Sequence, residues 1–99
     1  MNELKERKEL AQKTNRILLN YLKTLEMDED VIKKIKEYLE QQIKKCKNEI
    51  QYYVYIKFCM DSSRRILDLS KENKLTYDDI YRILNEEMDS LKAREFLVF

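Results

Sequence analysis

The complete absence of glycine and proline is the feature that most constrains this sequence of 99 residues. Tight turns use glycine for left-handed backbone and proline for its fixed φ angle. An all-β or α/β chain of this length would need several such turns. The sequence therefore predicts long helices joined by short polar connections. Hydrophobic residues make up 43% of the chain, which is enough for the single core of one domain.

Apolar residues recur at helical spacing in four segments. They predict helices over about residues 2–25, 29–46, 49–72 and 77–92, followed by an apolar C-terminal tail at 93–99. The expected fold is an all-α antiparallel four-helix bundle, in one domain spanning 1–99, because this arrangement buries four stripes together. The stripe predicted for the first helix comprises Leu4, Leu10, Ala11, Ile17, Leu18, Tyr21, Leu22 and Leu25. The stripe predicted for the fourth comprises Tyr77, Ile80, Tyr81, Leu84, Met88 and Leu91.

Polar residues that can cap helices stand before the later segments. Asp28 precedes the second helix, where its carboxylate could accept from free backbone N–H groups. Asn48 with Gln51, and Thr76 with Asp79, have the spacing of a capping box. The Thr76 signal is the clearer of the two. At Asn48 the second and third helices could instead continue as one kinked rod.

The segment 52–60 (YYVYIKFCM) carries one charge and is apolar on every side. Its aromatic and β-branched residues would also suit a strand. A lone strand has no partner for its backbone, so a helix is predicted. At 100° per residue, Tyr52, Tyr53, Tyr55 and Phe58 cannot all face one core. At least one of them must point outward or into a neighbouring groove, where it either completes the bundle or forms a docking patch.

The residue types needed for most enzyme chemistry are missing. With no histidine, a Ser-His-Asp or Cys-His arrangement cannot form, and without glycine neither phosphate-binding loop can be built. Cys46 and Cys59 lack the CxxC spacing and have no histidine to complete a zinc site. Both are predicted to be buried free thiols. We therefore expect no catalytic residue, no metal, no cofactor and no enzymatic activity.

The charge is balanced overall, with 20 basic and 19 acidic residues, so no global field draws the chain to nucleic acid. Locally, the second helix carries a basic run. A solvated face is the favoured interpretation, and contact with an anionic membrane surface or a nucleic acid is the alternative. The run comprises Lys33, Lys34, Lys36, Lys44, Lys45 and Lys47.

Two further functions remain open. Residues 62–86 can be interpreted as the helix-turn-helix of a small DNA-binding regulator, although Asp78 and Asp79 would place carboxylates where base-reading residues cluster. The second possible function is that of an antitoxin-like module, which pairs with another protein through its apolar helix faces.

The order of features is distinctive. A basic first helix precedes an acidic cap and a second helix ending in EYLEQQIKKCK. Then come a Met60-Asp61-x-Ser63 step, the loop 72–76 (ENKLT) and a closing Arg94-x-Phe96. From about Leu18 to Phe96 the chain resembles the immunity proteins for class IIa, pediocin-like bacteriocins, in the enterocin A immunity family. Unlike many relatives, it has no glycine and ends in FLVF.

This resemblance implies a cytosolic four-helix bundle that protects the bacterium producing the peptide. Such proteins act at the inner face of the membrane, on a mannose phosphotransferase permease to which the bacteriocin has bound. Their C-terminal half usually decides which bacteriocin is resisted. We accordingly expect a monomer with this protein complex as its partner, and no small-molecule substrate. Carried onto this chain, the expected partner-binding residues are Lys71, Asn73 and Lys74 in the loop and Arg94, Phe96 and Phe99 in the tail.

Overall fold

Four α-helices form the bundle in the computed structural model, which describes residues 3–72 and 74–98, with side chains as far as Lys92. The helices are α1 (Glu3–Lys23), α2 (Glu29–Lys44), α3 (Glu49–Ser70) and α4 (Tyr77–Val98). The described residues contain no strand. The predicted all-α four-helix fold is thus confirmed, and α2 and α3 are separate helices. The segment predicted as an apolar tail is instead a continuation of α4 as far as Val98.

Short connections make each helix antiparallel to the next, as expected for a bundle. α1 packs most closely on α3, which also packs on α4, while α2 packs on α1. The Tyr38 hydroxyl of α2 donates to Asn85 Oδ1 of α4 at 3.2 Å, which places these two parallel helices side by side. The end of α4 therefore lies at the same end of the bundle as the α2–α3 connection. The α3–α4 loop lies at the other end, with the α1–α2 turn.

The Thr76–Asp79 capping box forms in full, whereas at Asn48 only half of the box forms, because the Gln51 side chain accepts from the Lys47 N–H and not from that of Asn48. The Gln51 backbone N–H donates to Asn48 Oδ1 at 2.9 Å at the start of α3. The Asp79 N–H donates to Thr76 Oγ1 at 3.2 Å, and the Thr76 N–H returns a bond to Asp79 Oδ2 at 3.0 Å. These hydrogen bonds lower the pKa of Asp79. The cap expected at Asp28 is different, because its side chain makes no capping bond and only its backbone carbonyl accepts from the first turn.

The α1–α2 turn reverses the chain without glycine. Glu26 takes a positive φ of 55°, in the left-handed region that glycine normally occupies at the end of a helix. The two residues before it close the end of α1 with tight bonds, from Thr24 N to the Tyr21 carbonyl and from Leu25 N to the Leu22 carbonyl. The turn therefore accepts some backbone strain at one exposed residue.

Side chains from all four helices form one core, centred on Tyr55, Phe58, Leu39 and Leu84. The stripe predicted for α1 is wrong in part, because Leu4, Leu10 and Ile17 are exposed. Residues 3–10 are all exposed, so the first turns of α1 are not covered by the other helices. The buried side of α1 consists of Ala11, Asn15, Leu18, Leu19 and Leu22. On α4 the buried side also includes Ile83, whereas Tyr81 is exposed.

Candidate partner-binding groove

The loop residues expected to bind a partner lie between α3 and α4. Lys71 and Lys74 are both exposed there. The loop is held from below by Leu75, which is buried in the core, and by the Thr76–Asp79 capping box. Asn73 lies outside the described residues. The two lysines are therefore available to a partner at this end of the bundle.

The predicted tail residues belong to the opposite end of the molecule. Arg94 and Phe96 are part of α4, their side chains lie outside the described residues, and so does Phe99 altogether. α4 has 22 residues, and at about 1.5 Å per residue it is roughly 33 Å long. The structure therefore does not bring the loop and the C-terminal residues together. A partner contacting both would have to extend along the whole of α4.

All six lysines of the predicted basic run are exposed, but they do not share one surface. Lys36, Lys44 and Lys47 line an open groove between α1 and α2, into which α1 also directs Lys8 and Arg16. Lys34 instead lies over the Tyr77 ring of α4, with its Nζ 5.5 Å from the ring centroid. The run on α2 is visible in the sequence, whereas the two cations that α1 adds reach the groove only through packing of the helices. The residues lining the groove are Lys8, Gln12, Asn15, Arg16, Leu19, Lys36, Glu40, Ile43, Lys44, Cys46, Lys47 and Tyr52.

The groove has an apolar floor and charged walls. Its floor is formed by Leu19 and Tyr52, each 7% exposed, together with the half-buried Ile43 and Cys46. All of its charged side chains are exposed. With a volume of about 780 Å³ and a length of several helical turns, the groove is large enough for a segment of another protein. Its shape suits an amphipathic segment whose apolar side faces the floor.

Five cations and one carboxylate, Glu40, give the groove a clear excess of positive charge. In the part of the chain that the structure describes, none of the six forms an ion pair. The ion pairs that do form lie elsewhere, as between Arg65 of α3 and Glu87 of α4 at 3.0 Å. The groove cations are therefore free to pair with acidic groups of a partner.

A buried hydrogen bond holds the floor of the groove in place. The Tyr55 hydroxyl donates to Asn15 Oδ1 at 2.7 Å, and the Leu39 carbonyl lies 3.3 Å from the same hydroxyl. Burial raises the pKa of Tyr55, so the phenol keeps its proton. Asn15 was not predicted to be buried, because its partner comes from 40 residues away in the sequence. This bond joins α1 to α3 directly beneath the cationic walls.

The two thiols differ in exposure. Cys59 is buried in the core, and burial is the main cause that raises its pKa to about 12. Cys46 is only half-buried beside the groove, which corrects the expectation that both thiols are buried. Neither thiol is part of a disulfide, as predicted. The described residues contain no cluster of cysteine, aspartate and glutamate that could hold a metal ion.

A second surface is apolar and lies on the outside of the α1–α3 pair. On α3, Tyr53, Met60 and Leu67 are 56%, 60% and 42% exposed, and on α1 Leu10 and Ile17 are 45% and 58% exposed. Tyr53 thus confirms the prediction that part of the aromatic set points outward. Arg65 faces α4 on the other flank of α3. We call these five exposed apolar residues the outer face.

Comparison with known proteins adds no relative to this picture: no family model, no curated protein and no solved structure matches the chain. Among the described residues, no helix is both long enough and apolar enough to cross a bilayer. The groove and the outer face are therefore interpreted from their own geometry and charge.

Proposed function

We propose that this chain acts by binding another protein, and that the α1–α2 groove receives an acidic amphipathic segment of that partner. The observation that carries the proposal is the set of five cations above an apolar floor. Acidic side chains of the partner would pair with Lys36, Lys44 and Arg16, and its apolar side chains would cover Leu19 and Tyr52.

The groove favours a protein over the other anionic partners. A phospholipid surface is broad and would reach the exposed lysines, but it would leave a concave apolar floor uncovered. Duplex DNA presents phosphates along a wide cylinder and has no apolar side chain for Leu19 or Ile43. The helix-turn-helix alternative also loses support, because α3 and α4 pack along each other from Leu69 to Tyr55. A helix-turn-helix needs two helices that cross steeply.

Within this proposal, the partner is the membrane permease of the mannose phosphotransferase type with its bound bacteriocin. This assignment rests on the resemblance to class IIa immunity proteins, and the four-helix fold is compatible with it. The exposed Lys71 and Lys74 would add contacts at one end of the bundle, and the last turns of α4, with Arg94 and Phe96, at the other. The groove would supply the contact between these two ends.

A resistance assay tests the permease assignment and the groove together. The chain is expressed in a sensitive lactic acid bacterium, which is then challenged with a panel of class IIa peptides. Wild type should protect against at least one peptide. Lys44→Glu reverses a groove charge and should reduce protection by about tenfold or more, the effect of losing roughly 1.4 kcal/mol of binding. Lys33→Glu is the matched control, since Lys33 is exposed on the same helix but does not line the groove.

The outcomes separate the two parts of the proposal. Unchanged killing across the whole panel by cells that express the folded chain would overturn the permease assignment. Equal protection by both variants would overturn the role of the groove. Circular dichroism of the purified variants should match that of wild type, because both lysines are exposed and unpaired in the described structure.

Binding of a defined probe tests the groove without any permease. A fluorescent, glutamate-rich amphipathic helical peptide should bind wild type, and its affinity should weaken as salt rises. Lys44→Glu should bind more weakly than Lys33→Glu. A short DNA duplex serves as the competing ligand. If the duplex bound more tightly than the acidic peptide at the same salt concentration, the nucleic-acid alternative would replace this one.

A shortened chain tests the C-terminal contribution. Ending the chain at Leu91 removes the last turns of α4, and with them Arg94, Phe96 and Phe99. Protection should disappear, while the core residues of α4 stay in place, since Ile80, Leu84 and Met88 all precede the cut. Full protection by the shortened chain would show that the C-terminal residues do not contact the partner.

A further inference from the structure

The outer face contains a regular apolar row along α3. Tyr53, Met60 and Leu67 follow each other at intervals of seven residues, the spacing that keeps side chains in one line along a helix. All three are more than 40% exposed. This row lies on the flank of α3 away from α4, because Arg65 and Leu69 face α4.

α1 widens this row into a two-helix surface. Leu10 and Ile17 are also seven residues apart and exposed. Ile17 is turned away from the groove with α2, while Leu10 borders a shallow depression of α1 that Arg16 also lines. Because α1 packs side by side with α3, the flanks turned away from α2 and from α4 form one continuous face. Nothing in the described structure covers it.

Charges stand at both ends of the α3 row, with opposite signs. Glu49 lies eleven residues before Met60, and Lys71 lies eleven residues after it. Eleven residues turn a helix through about three full turns, so both charges lie close to the line of the apolar row, each roughly 16 Å from Met60. Both are exposed, and in the described part of the chain neither forms an ion pair.

We infer that the outer face binds a second copy of this chain, with two α3 helices antiparallel about a twofold axis at Met60. Such an axis places Tyr53 of one copy on Leu67 of the other and joins the two Met60 side chains. It also brings Glu49 of each copy to Lys71 of the other. The pattern is therefore complementary to itself, which a surface meant for an unrelated partner or an anionic membrane has no reason to be.

The expected association is weak and depends on concentration. The α3 row is about 33 Å long and one helix wide, and α1 adds contacts only near the axis, because the Asn15–Tyr55 bond sets it beside the first part of α3. The face therefore covers on the order of 400 Å² per copy, below the usual size of a specific interface. Lys57 and Arg64 border the row and would bring like charges near each other across the axis, although Asp61 pairs with Lys57 at 3.5 Å. We expect a dissociation constant on the order of tens to hundreds of micromolar. The monomer expected from the sequence is the species present in dilute solution.

Sedimentation velocity over a wide concentration range at low salt is the direct test. Wild type should pass from a species of 12.2 kDa to one of twice that mass. Met60→Glu places two carboxylates at the axis and should remain monomeric throughout. Gln41→Glu is the matched control, because it adds the same charge on the exposed side of α2, away from the outer face, and should dimerise like wild type. Circular dichroism should be the same for all three.

A charge exchange tests the register. Glu49→Lys alone and Lys71→Glu alone should each weaken the dimer by at least about tenfold, the effect of bringing like charges together. The double variant restores two opposite charges in each pair and should recover most of the association. A wild type that stays monomeric at every concentration would overturn the inference, and so would a dimer that Met60→Glu leaves intact. A double variant no better than the single ones would overturn the proposed register.

Discussion

Both sides of α3 carry large apolar residues, yet the fold covers only one of the two sides. The inner side places Tyr55, Phe58 and Ile66 in the core with 1% or less of their surface exposed. The outer side leaves Tyr53 and Met60 more than half exposed. A helix that is apolar all round is normally surrounded by other elements. Here the other three helices cover only one side, so the composition of α3 exceeds what this bundle needs.

This difference shows where the folding of the single chain ends and where binding can begin. Burying an apolar side chain stabilises a fold whether the cover comes from the same chain or from another one. The apolar side chains of the inner side are covered by α1, α2 and α4, whereas those of the outer side are not covered. Substitutions on the two sides should therefore separate effects on stability from effects on association.

The largest expected effect comes from shortening an inner side chain. Phe58→Ala leaves a cavity at a fully buried position and should lower the free energy of unfolding by about 3–5 kcal/mol. Met60→Ala, two residues further on the outer side, should change it by no more than about 0.5 kcal/mol in dilute solution. Urea denaturation of both variants, followed by circular dichroism at a concentration where the chain is monomeric, provides the measurement.

Equal losses of unfolding free energy in the two variants would contradict the difference between the inner and outer sides. They would mean that other residues already cover the outer side in the monomer. A loss larger than about 5 kcal/mol at Phe58 would exceed what cavity formation explains and would indicate that the bundle unfolds altogether. Repeating the Met60→Ala measurement at high protein concentration adds a second comparison. Any additional loss of stability that appears only there belongs to association.

The inner side was largely predictable from the sequence, and the outer side was not. Helical spacing and the capping signals at Asn48 and Thr76 are local, and they placed α3 and the start of α4 correctly. Which flank is covered depends on the neighbouring helix, and spacing carries no information about that. Leu10 and Ile17 were therefore assigned to the core, although they lie on the outer face.

The groove could not be predicted from the sequence either, because the residues that line it come from segments far apart in the chain. Lys36 and Lys44 belong to a visible run, but Lys8 and Arg16 join them only once α1 packs beside α2. Asn15 becomes a buried residue only because Tyr55 supplies a hydrogen bond. A polar residue within an apolar stripe is normally expected to be exposed. The sequence does not show which distant residue could bury it by forming a hydrogen bond with it. The resemblance predicted partner contacts at the two ends of α4 and none in this groove.

A smaller effect should follow from removing a single hydroxyl on each side. Tyr55→Phe leaves the buried Asn15 Oδ1 without its donor and should cost about 1–3 kcal/mol of unfolding free energy. Tyr53→Phe makes the same chemical change on the outer side, where water replaces the hydroxyl contact, and should cost almost nothing. Thermal and urea unfolding under identical conditions measure the unfolding free energies of the two variants for this comparison. If both were neutral, the hydrogen bond joining α1 and α3 would contribute nothing net to stability.

The smallest expected effect is a loss of stability at alkaline pH that originates on the inner side. Burial raises the pKa of Cys59 from an ordinary value near 9 to about 12. A raised folded-state pKa means that the protonated thiol stabilises the fold fully below pH 9. That contribution is lost progressively as the pH rises from about 9 to 12, since the unfolded chain releases the proton first. At pH 10 the loss should be about 1.4 kcal/mol relative to pH 8.

Cys59→Ala isolates this contribution, because the cost of the smaller side chain is the same at both pH values and cancels in the difference. Between pH 8 and pH 10 the variant should lose about 1.4 kcal/mol less stability than wild type. Burial also raises the pKa values of Tyr38 and Tyr55, whose contributions begin to be lost near pH 10. Both phenols are present in the variant and in wild type, so their contribution largely cancels in the difference. If Cys59→Ala and wild type fell in parallel, the Cys59 thiol would ionise as easily in the fold as in water. The inner side of α3 would then be open to solvent at Cys59, and it would not differ from the outer side in exposure there.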